Sequence, residues 1–499
     1  MNTLKQNLPL LVTLFAFLII LGLAIKPVVD PDFWWHLATG RLIWETQSIP
    51  QQDSFIYSIP NYPYVYHSWL SYLIMFMVYS IFGLWGASVL YALVITFACV
   101  FIYKSISLKN NYVGLILLIP FAAIIIYITG LRPQAYSLLG LSILWYLINQ
   151  TLKLDKVSLS FWVWIKQTKF YLLFPIFIIW VNIHGGFIWG ILLIGLFSVI
   201  NFIIHKDIQE LIYLVITIIG LGLVTLINPY TYRVYTLALQ MSSNPLAREL
   251  NMDWYPLFST KAVALTPDYL IIQAVFLLFI SVITFSKTSK TIKIVTRILF
   301  ISSIYTHRYL LMLSVVIFPY LLLILSQFFQ KATQYFSKSN GFTLKIYLLI
   351  IPICIVYLIL NNLHITQAAY QYPDQFGYQL VQNIYPYPIV NYFRNNGVPT
   401  RLLNDYNYGG YLEWYFPKNQ YFADGRMDNF YINEATFLEI YNPLVSAQSG
   451  WEDIFKEYDF NGVLLSKKFK LVDELKNNPD WELTLEDENF VFFLPVKSN

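Results

Sequence analysis

The hydrophobic positions of the chain fall into long runs separated by short polar connections. Since a helix needs about 20 apolar residues to cross a bilayer, the runs predict spans near residues 7–28, 67–82, 86–103, 112–129, 135–152, 170–183, 187–204, 211–228, 264–285, 292–306, 309–328 and 345–363. After residue 363 the pattern changes to turns such as "NYGG" and short strand-like runs such as "GVLLS" and "FVFFLP". We therefore expect an α-helical polytopic membrane domain of about 11 to 13 spans, residues 1–363, followed by a small α/β soluble domain, residues 364–499.

Composition supports this class. Of the 499 residues, 57% are hydrophobic and only 12% are charged, whereas roughly a quarter are charged in soluble domains. The two cysteines lie inside apolar runs, which excludes a disulfide framework. Residues 8–25 resemble the core of a signal peptide, but eighteen uncharged residues favour a retained membrane anchor.

Lysines and acids occupy different connections. Short lysine-rich connections at 104–109, 153–169, 206, 287–293 and 331–345 should face the cytoplasm by the positive-inside rule. Seven of the ten acids before residue 364 lie in or beside two other connections, 29–66 and 228–263. The tail, residues 364–499, carries eighteen acids against ten basic residues. We therefore expect both loops and the tail outside a multi-pass protein of the cell membrane. Twelve full spans would instead return residues 364–499 to the side of the membrane that holds the N-terminus. One candidate within 67–129 should therefore be interfacial, re-entrant or merged with its neighbour.

The first outer loop opens with "DPDFWWHLATGRLIWETQSIPQQDSF", residues 30–55, which gathers scarce acids beside aromatic residues. Asp32 can cap a helix, and His36 follows one turn later on the same side. The helix would rest on the bilayer through Phe33, Trp34, Leu37, Ile43 and Trp44. Alternatively, Asp30 and Asp32 are caps only, and Asp53 in "PQQDSF" forms a turn.

With these residues, the chain resembles the GT-C class of integral membrane glycosyltransferases, whose first outer loop carries paired acids. Further segments, "HSWL" at 67–70, "LRPQ" at 131–134, "WVNIHGGFIWG" at 180–190 and "INPY" at 227–230, are similar to bacterial RgtA/B/C/D-like and protein O-mannosyltransferase-like members. The tail, with "NDYNYGGYLEW" and "ADGRMDNFY", is similar to the external C-terminal extension of one subgroup.

The resemblance implies transfer of a hexose or pentose from a polyprenyl-phosphate-linked donor to a glycan, lipid or protein acceptor on the external face. No nucleic acid is expected as a partner. The class nominates Asp30 or Asp32 as the carboxylate that activates the acceptor hydroxyl, and we favour Asp32. Asp30, Asp32 and His36 would also offer ligands for a divalent metal such as Mg²⁺ or Mn²⁺. Members of the class differ in metal use, so this point stays open.

A leaving phosphate needs cationic partners, and basic residues at span ends are the candidates. Besides His36, they are Arg132, His184, Arg233, His307 and Arg308. Each has a plain alternative. The two arginines at 132 and 308 could snorkel to lipid headgroups, Arg233 could be interfacial, and His184 could bind carbonyl groups where a helix ends.

In the tail, predicted strands at 401–404, 420–424, 462–466 and 481–485 alternate with helical patterns, which is the outline of a small α/β domain. Asp424, Arg426 and Asp428 follow directly on a strand, where such folds place ligand-binding loops. The alternative is a buried ion pair of Arg426 with one of these acids. A soluble nucleotide site is not expected, because the phosphate-loop spacings are absent.

Other function classes fit less well. A lipid-linked glycan polymerase or ligase is the nearest enzyme alternative. A transporter should show paired interrupted spans or internal repeats, which we do not find, and a non-catalytic membrane scaffold would use Asp30 and Asp32 as caps only.

Sidedness can be tested directly. Single cysteines replacing Ser48 and Lys470 should react with an impermeant thiol reagent in intact cells, because the acids place both positions outside. A cysteine replacing Thr288, in a lysine-rich connection, should react only after permeabilisation. Labelling of position 288 with protection of position 470 would reverse the assigned orientation.

Overall fold

The structure is a computed structural model that describes residues 2–27, 30–105, 112–129, 132–151, 160–243, 254–261, 269–337, 385–432 and 435–496. The chain divides into two compact units. The first comprises Met1–Lys26, Ser88–Thr231 and Asn251–Gln367, and the second comprises Pro27–Ala87, Tyr232–Leu250 and Ala368–Asn499. The predicted span at 345–363 and the predicted boundary after it lie outside the described residues.

Helices dominate both units. In chain order they are α1 (Asn2–Ala24), α2 (Asp32–Thr46), α3 (Trp69–Lys104), α4 (Tyr112–Thr129), α5 (Gln134–Thr151), α6 (Phe161–Thr168), α7 (Leu173–Ile183), α8 (Phe187–His205), α9 (Ile208–Thr225), α10 (Arg233–Ser243), α11 (Tyr269–Phe285), α12 (Lys290–Tyr305), α13 (Tyr309–Ser337), α14 (Tyr387–Asn396), α15 (Tyr406–Tyr415), α16 (Leu438–Val445), α17 (Trp451–Glu457) and α18 (Leu471–Lys476). Short 3-10 turns lie at Phe170–Leu172 and Met427–Asn429.

Several of these helices are suited to a bilayer. Among the described residues, the helical segments Trp69–Lys104, Phe187–His205, Ile208–Thr225 and Tyr309–Phe328 are long and apolar enough to cross it. Shorter apolar helices cover Leu10–Ala24, Gly114–Thr129, Phe170–Ile183 and Ile272–Phe285. These segments coincide with predicted spans, and the fold class of a helical membrane protein is confirmed.

Two predicted spans, 67–82 and 86–103, both fall within α3. Gly83 interrupts the helix with φ 63° and ψ −156°, a conformation that residues with a side chain rarely adopt. The two helical segments therefore follow each other with a break at a single glycine instead of a polar loop.

The tail contains the predicted small sheet. Its strands are β1 (Leu402–Asn404), β4 (Gly462–Ser466), β5 (Trp481–Glu486) and β6 (Phe490–Pro495), in the order β1-β4-β6-β5. The β1 strand pairs parallel with β4, and the other two pairings are antiparallel. A separate hairpin joins β2 (Tyr431–Ile432) to β3 (Ala435–Thr436). The central strands β4 and β6 are buried, as their unbroken apolar sequences require.

The strand predicted at 420–424 does not join this sheet. Tyr421 forms a parallel bridge with Ile56 in the first loop. Its amide donates to the carbonyl of Phe55 at 2.8 Å, and its carbonyl accepts from the amide of Tyr57 at 3.0 Å. Because both segments lie in the second unit, loop 29–66 and the tail are parts of one packed structure, and the division by packing differs from the division by composition.

Helix α2 is covered by protein and not by the bilayer. Phe33, Trp34, Leu37 and Ile43, expected to face lipid, are buried, and only Trp44 is largely exposed, at 50%. Trp34 contacts rings of the tail, with centroid distances of 5.2 Å to Tyr411 and 5.9 Å to Tyr385. The prediction of an interfacial helix was wrong because periodicity identifies an apolar face without identifying what covers it.

Gly40 on α2 tests this packing. A Cβ added there would lie 2.7 Å from the Tyr72 carbonyl carbon and 2.8 Å from Phe76 Cβ on α3. Gly40→Ala must displace the helices, at a cost of about 1 to 3 kcal/mol, and should lower the thermal unfolding midpoint in detergent. Gly195→Ala on α8, where the added Cβ meets nothing within 4 Å, should leave the midpoint unchanged or slightly raise it. Equal midpoints for both variants would contradict the close approach.

Candidate functional site

The two acids at the start of α2 have different roles. The helix begins at Asp32, and the Asp30 carboxylate accepts the Asp32 amide hydrogen at 3.0 Å. Of the two acids for which the sequence allowed a capping role, Asp30 is the one whose side chain accepts a backbone amide at the start of the helix. The Asp32 carboxylate instead accepts a hydrogen bond from the Trp35 indole Nε1 at 3.1 Å, and both acids are half-buried.

The tail reaches Asp32 through the turn that contains Gly425. A Cβ added to Gly425 would overlap Asp32 Oδ1 and would lie 3.4 Å from Trp35 Nε1. The φ angle of Gly425 lies outside the left-handed region, so glycine is required here for space and not for conformation. The sequence had singled out the acids at 30 and 32 and the turn at 424–428 separately, and the structure brings them into contact.

Two tyrosines of the tail lie in the electrostatic field of Asp32. Burial raises the pKa of Tyr406 to about 12, and nearby carboxylates, Asp405 first and then Asp32 and Asp428, add to the rise. Burial also raises the pKa of Tyr385, with Asp32 adding to the effect. Both hydroxyls therefore stay protonated near neutral pH.

Behind this turn, Arg426 is a buried charge, with an exposed fraction of 1%. Its Nε donates to both carboxylate oxygens of Asp424, at 2.9 and 3.1 Å, and its Nη2 also donates to Asp424. Its Nη1 donates to Asp53 at 2.5 Å and to the Tyr66 hydroxyl at 3.1 Å. Asp424 and Arg426 therefore form the buried ion pair that the sequence analysis gave as the alternative. The prediction of a ligand site at these two residues is corrected, because neither side chain is accessible to a ligand.

Aromatic rings enclose the same guanidinium. Its carbon lies 5.0 to 5.7 Å from the ring centroids of Tyr64, Phe55, Trp35, Phe430 and Tyr66. Such rings interact favourably with a cation that has lost its water. Asp53, expected to form a turn, does accept the amides of Phe55 and Ile56, but its second oxygen carries the ion pair.

Glu413 is the third carboxylate near Arg426, with Oε1 3.9 Å from Nη2 and no exposed surface. Neither of its carboxylate oxygens accepts a hydrogen bond from the described part of the chain, so an ionised Glu413 would be left without a donor. A protonated Glu413 can instead donate a hydrogen bond to Asp424. Burial, followed by the charge of Asp424, raises the pKa of Glu413 well above its usual 4.5. For Asp424, burial would raise the pKa, but Arg426 outweighs it and lowers the value. We infer that Glu413 is neutral and Asp424 charged.

His36 lies inside the second unit. Its ring stacks on Tyr72 with a centroid distance of 4.6 Å and an interplanar angle of 15°, and its exposed fraction is 6%. No group of three or more His, Cys, Asp or Glu side chains with the geometry of a metal site occurs among the described residues. Asp30, Asp32 and His36 are therefore not drawn together as a ready-made ligand set.

In the first unit, His184 ends α7 and is held by a chain of hydrogen bonds. Its Nδ1 accepts the Gly186 amide at 3.0 Å and lies 2.6 Å from the Ser137 hydroxyl, which accepts the Trp180 indole hydrogen at 2.9 Å. With Nδ1 accepting, the neutral ring carries its proton on Nε2. The ring orientation is thus set by Ser137, which no sequence motif had indicated.

The remaining basic candidates have varied surroundings. Arg308 stacks over Trp254 at 4.0 Å, and His307 Nδ1 lies 3.1 Å from the Tyr255 carbonyl. Arg132 is half-buried just before α5 in the first unit. Arg233, in the second unit, donates to the Pro63 carbonyl at 3.1 Å.

Comparison with solved structures identifies the fold. The archaeal oligosaccharyltransferase AglB from Archaeoglobus fulgidus, in complex with an inhibitory peptide and a dolichol-phosphate, matches with a TM-score of 0.60 and 13% identity, over 93% of this chain and 70% of that one. ArnT from Cupriavidus metallidurans, bound to undecaprenyl phosphate, matches with a TM-score of 0.55 and 12% identity, over 100% of this chain and 99% of that one. No protein-family model matches the sequence, and neither does any curated protein.

Both neighbours are GT-C glycosyltransferases. The GT-C fold suggested by the first loop is therefore confirmed for this chain. At this level of identity the likeness concerns the fold, and the chemistry has to be argued from the residues.

Replacing two of the buried carboxylates with neutral amides should change the unfolding free energy by very different amounts. Asp53→Asn removes a charge that faces Arg426 and should cost roughly 3 to 5 kcal/mol of unfolding free energy. Glu413→Gln replaces a neutral acid with a neutral amide and should cost little. Because the folded state holds the Glu413 proton more tightly than the unfolded state, parent stability falls as pH rises above about 4.5, and Glu413→Gln lacks this fall.

Thermal unfolding in detergent between about pH 5 and pH 9 measures both effects. The midpoint of Glu413→Gln should gain on the parent as pH rises, while Asp53→Asn should lie below the parent throughout. A Glu413→Gln midpoint that falls further behind the parent with rising pH would mean that Glu413 is ionised.

Proposed function

We propose that this chain is a membrane glycosyltransferase that transfers a sugar from a polyprenyl-phosphate-linked donor to an acceptor on the external face of the membrane. The observation that carries the proposal is Asp32, a half-buried carboxylate held by Trp35 at the start of α2 in a chain with the GT-C fold. Of the two solved neighbours, one is in complex with a dolichol-phosphate and the other is bound to undecaprenyl phosphate, which supports a lipid phosphate as the carrier.

In the proposed reaction the acceptor hydroxyl attacks the anomeric carbon of the donor. The new carbon–oxygen bond forms as the bond between that carbon and the phosphate oxygen breaks. Asp32 takes the hydroxyl proton, and the bond electrons leave with the lipid phosphate. Asp30 supports this role through the cap on α2 and does not react.

The leaving phosphate gains negative charge and needs hydrogen-bond donors. Among the predicted basic residues, His36 and Arg233 lie in the second unit together with Asp32 and are the candidates for this role. In this proposal the donor sugar is a hexose or a pentose, and the acceptor is a glycan, a lipid or a protein.

The placement of the tail is also proposed. Its excess of acids, together with the acids of loop 29–66, supports an extracytoplasmic position for residues 364–499 and for the loops at 29–66 and 228–263. An external acceptor and a tail that covers α2 are consistent with each other.

The role of Asp32 can be tested by removing its charge. Asp32→Asn keeps the size of the side chain and an oxygen for the Trp35 hydrogen bond, so folding should be retained. Loss of the base should lower sugar transfer by about a hundredfold or more. In cells that depend on each variant, polyprenyl-phosphate-linked sugars extracted from the membranes and quantified by mass spectrometry should accumulate.

Glu45→Gln provides the matched control, because Glu45 is an exposed carboxylate on the same helix, and transfer should stay within a few fold of the parent. Asp30→Asn, which keeps an oxygen for the cap, tests the neighbouring acid. Loss only at Asp30 would move the base by two residues. Full transfer by both the Asp32 and the Asp30 variants would eliminate the proposed mechanism and favour a scaffold.

A further inference from the structure

The surroundings of Asp32 restrict its carboxylate more than a surface acid would be restricted. Trp35 Nε1 donates to Asp32 Oδ1 at 3.1 Å, and the backbone of Gly425 lies so close to the same oxygen that no Cβ fits between them. One contact comes from α2 itself and the other from the tail, nearly 400 positions later in the sequence.

The indole of Trp35 is fixed on several sides. The Tyr72 ring lies 5.2 Å away, and the Arg426 guanidinium carbon lies 5.5 Å from the indole centroid. A Cβ on Gly410 of α15 would lie 2.6 Å from the Trp35 amide nitrogen, so α15 packs directly on the backbone of α2. With an exposed fraction of 6%, the indole has little room to rotate, and its N–H points in one direction.

The position of Gly425 is fixed by its neighbours in sequence. Asp424 Oδ1 accepts the Arg426 amide at 2.7 Å, which closes the turn around Gly425. The side chains of the same two residues belong to the buried ion pair with Asp53. Because the residues on both sides of Gly425 are held by these contacts, the Gly425 backbone cannot move away from Asp32 without breaking them.

We propose that Trp35 and Gly425 are positioning residues that hold the Asp32 carboxylate in one orientation, so that the C-terminal part of the chain acts on the reaction through the geometry of this carboxylate. This inference rests on the proposed function, in which Asp32 is the base. Reactive groups have to be held within about 0.5 Å and 10 to 20° of their working geometry. A displacement of about 1 Å can cost on the order of a hundredfold in rate.

The first test is spatial. Gly425→Ala places a methyl group against Asp32 and should lower kcat for sugar transfer by roughly ten- to a hundredfold, with KM changed less than threefold. The reaction would be followed in isolated membranes supplied with increasing amounts of lipid-linked sugar extracted from the same cells, so that kcat and KM are obtained separately. Gly222→Ala on α9, where an added Cβ meets nothing within 4 Å, is the matched control and should transfer at the parent rate.

The second test removes a hydrogen bond. Trp35→Phe keeps an aromatic ring beside Arg426 but deletes the N–H that stabilises the ionised carboxylate. Its rate should fall, and the pH at which activity is halved on the acidic side should rise. A purely structural role for Trp35 would lower the amount of folded protein without moving this pH. Trp44→Phe, an exposed tryptophan on the same helix, should leave the profile unchanged.

Three results decide the inference. Low kcat in Gly425→Ala together with a shifted acidic limb in Trp35→Phe supports it. Parent-like rates and profiles in both variants, with Asp32→Asn inactive, would overturn the positioning role and leave the proposed function standing. Full activity of Asp32→Asn would remove the proposed function and the inference with it. If Gly425→Ala fails to fold, the pH profile of Trp35→Phe decides alone.

Discussion

The second unit depends on a charge that has no access to water. An arginine side chain moved into an apolar interior without partners would be very costly, and Arg426 avoids this cost through Asp424 and Asp53. Since Asp53 belongs to loop 29–66, the Arg426 guanidinium has both of its carboxylate partners only when this loop and the tail are packed together. The strand-like contact of Tyr421 with the loop and the cover that the tail places on α2 follow from the same requirement.

Sequence patterns predicted the elements better than their partners. Within the described residues, apolar runs located the long apolar helices to within a few residues, and the tail strands at 402–404, 462–466 and 481–486 lay within one residue of the predicted strand-like runs. The partner of residues 420–424 and the cover of α2 were not predictable, because each is separated by hundreds of residues in sequence. A local hydrophobic pattern shows that one face of an element will be buried. Which segment packs against that face depends on the tertiary structure of the whole chain.

The candidate site shows the same limit. Asp32 was nominated by the resemblance to the GT-C class and the turn at 424–428 by its position after a predicted strand, but their contact was not predictable. Glu413 carried a weak signal, as a lone acid among the apolar residues of "GGYLEWYF". Ser137 carried none, because a serine in an apolar segment has many structural roles, and Trp35 was visible only as one of several aromatic residues beside the acids of loop 29–66. Residues that orient other residues are recognised by geometry, and geometry requires the fold.

The ion pair between Asp53 and Arg426 also has a consequence in time. Its partners are separated by 373 positions, and ribosomes add roughly 5 to 20 residues per second. Helix α2 therefore leaves the ribosome roughly 20 to 75 s before its cover is synthesised. During that interval its apolar face has only the membrane surface, its own neighbours in the chain or a chaperone to contact. The order of synthesis makes the last quarter of the chain the step that completes the first loop.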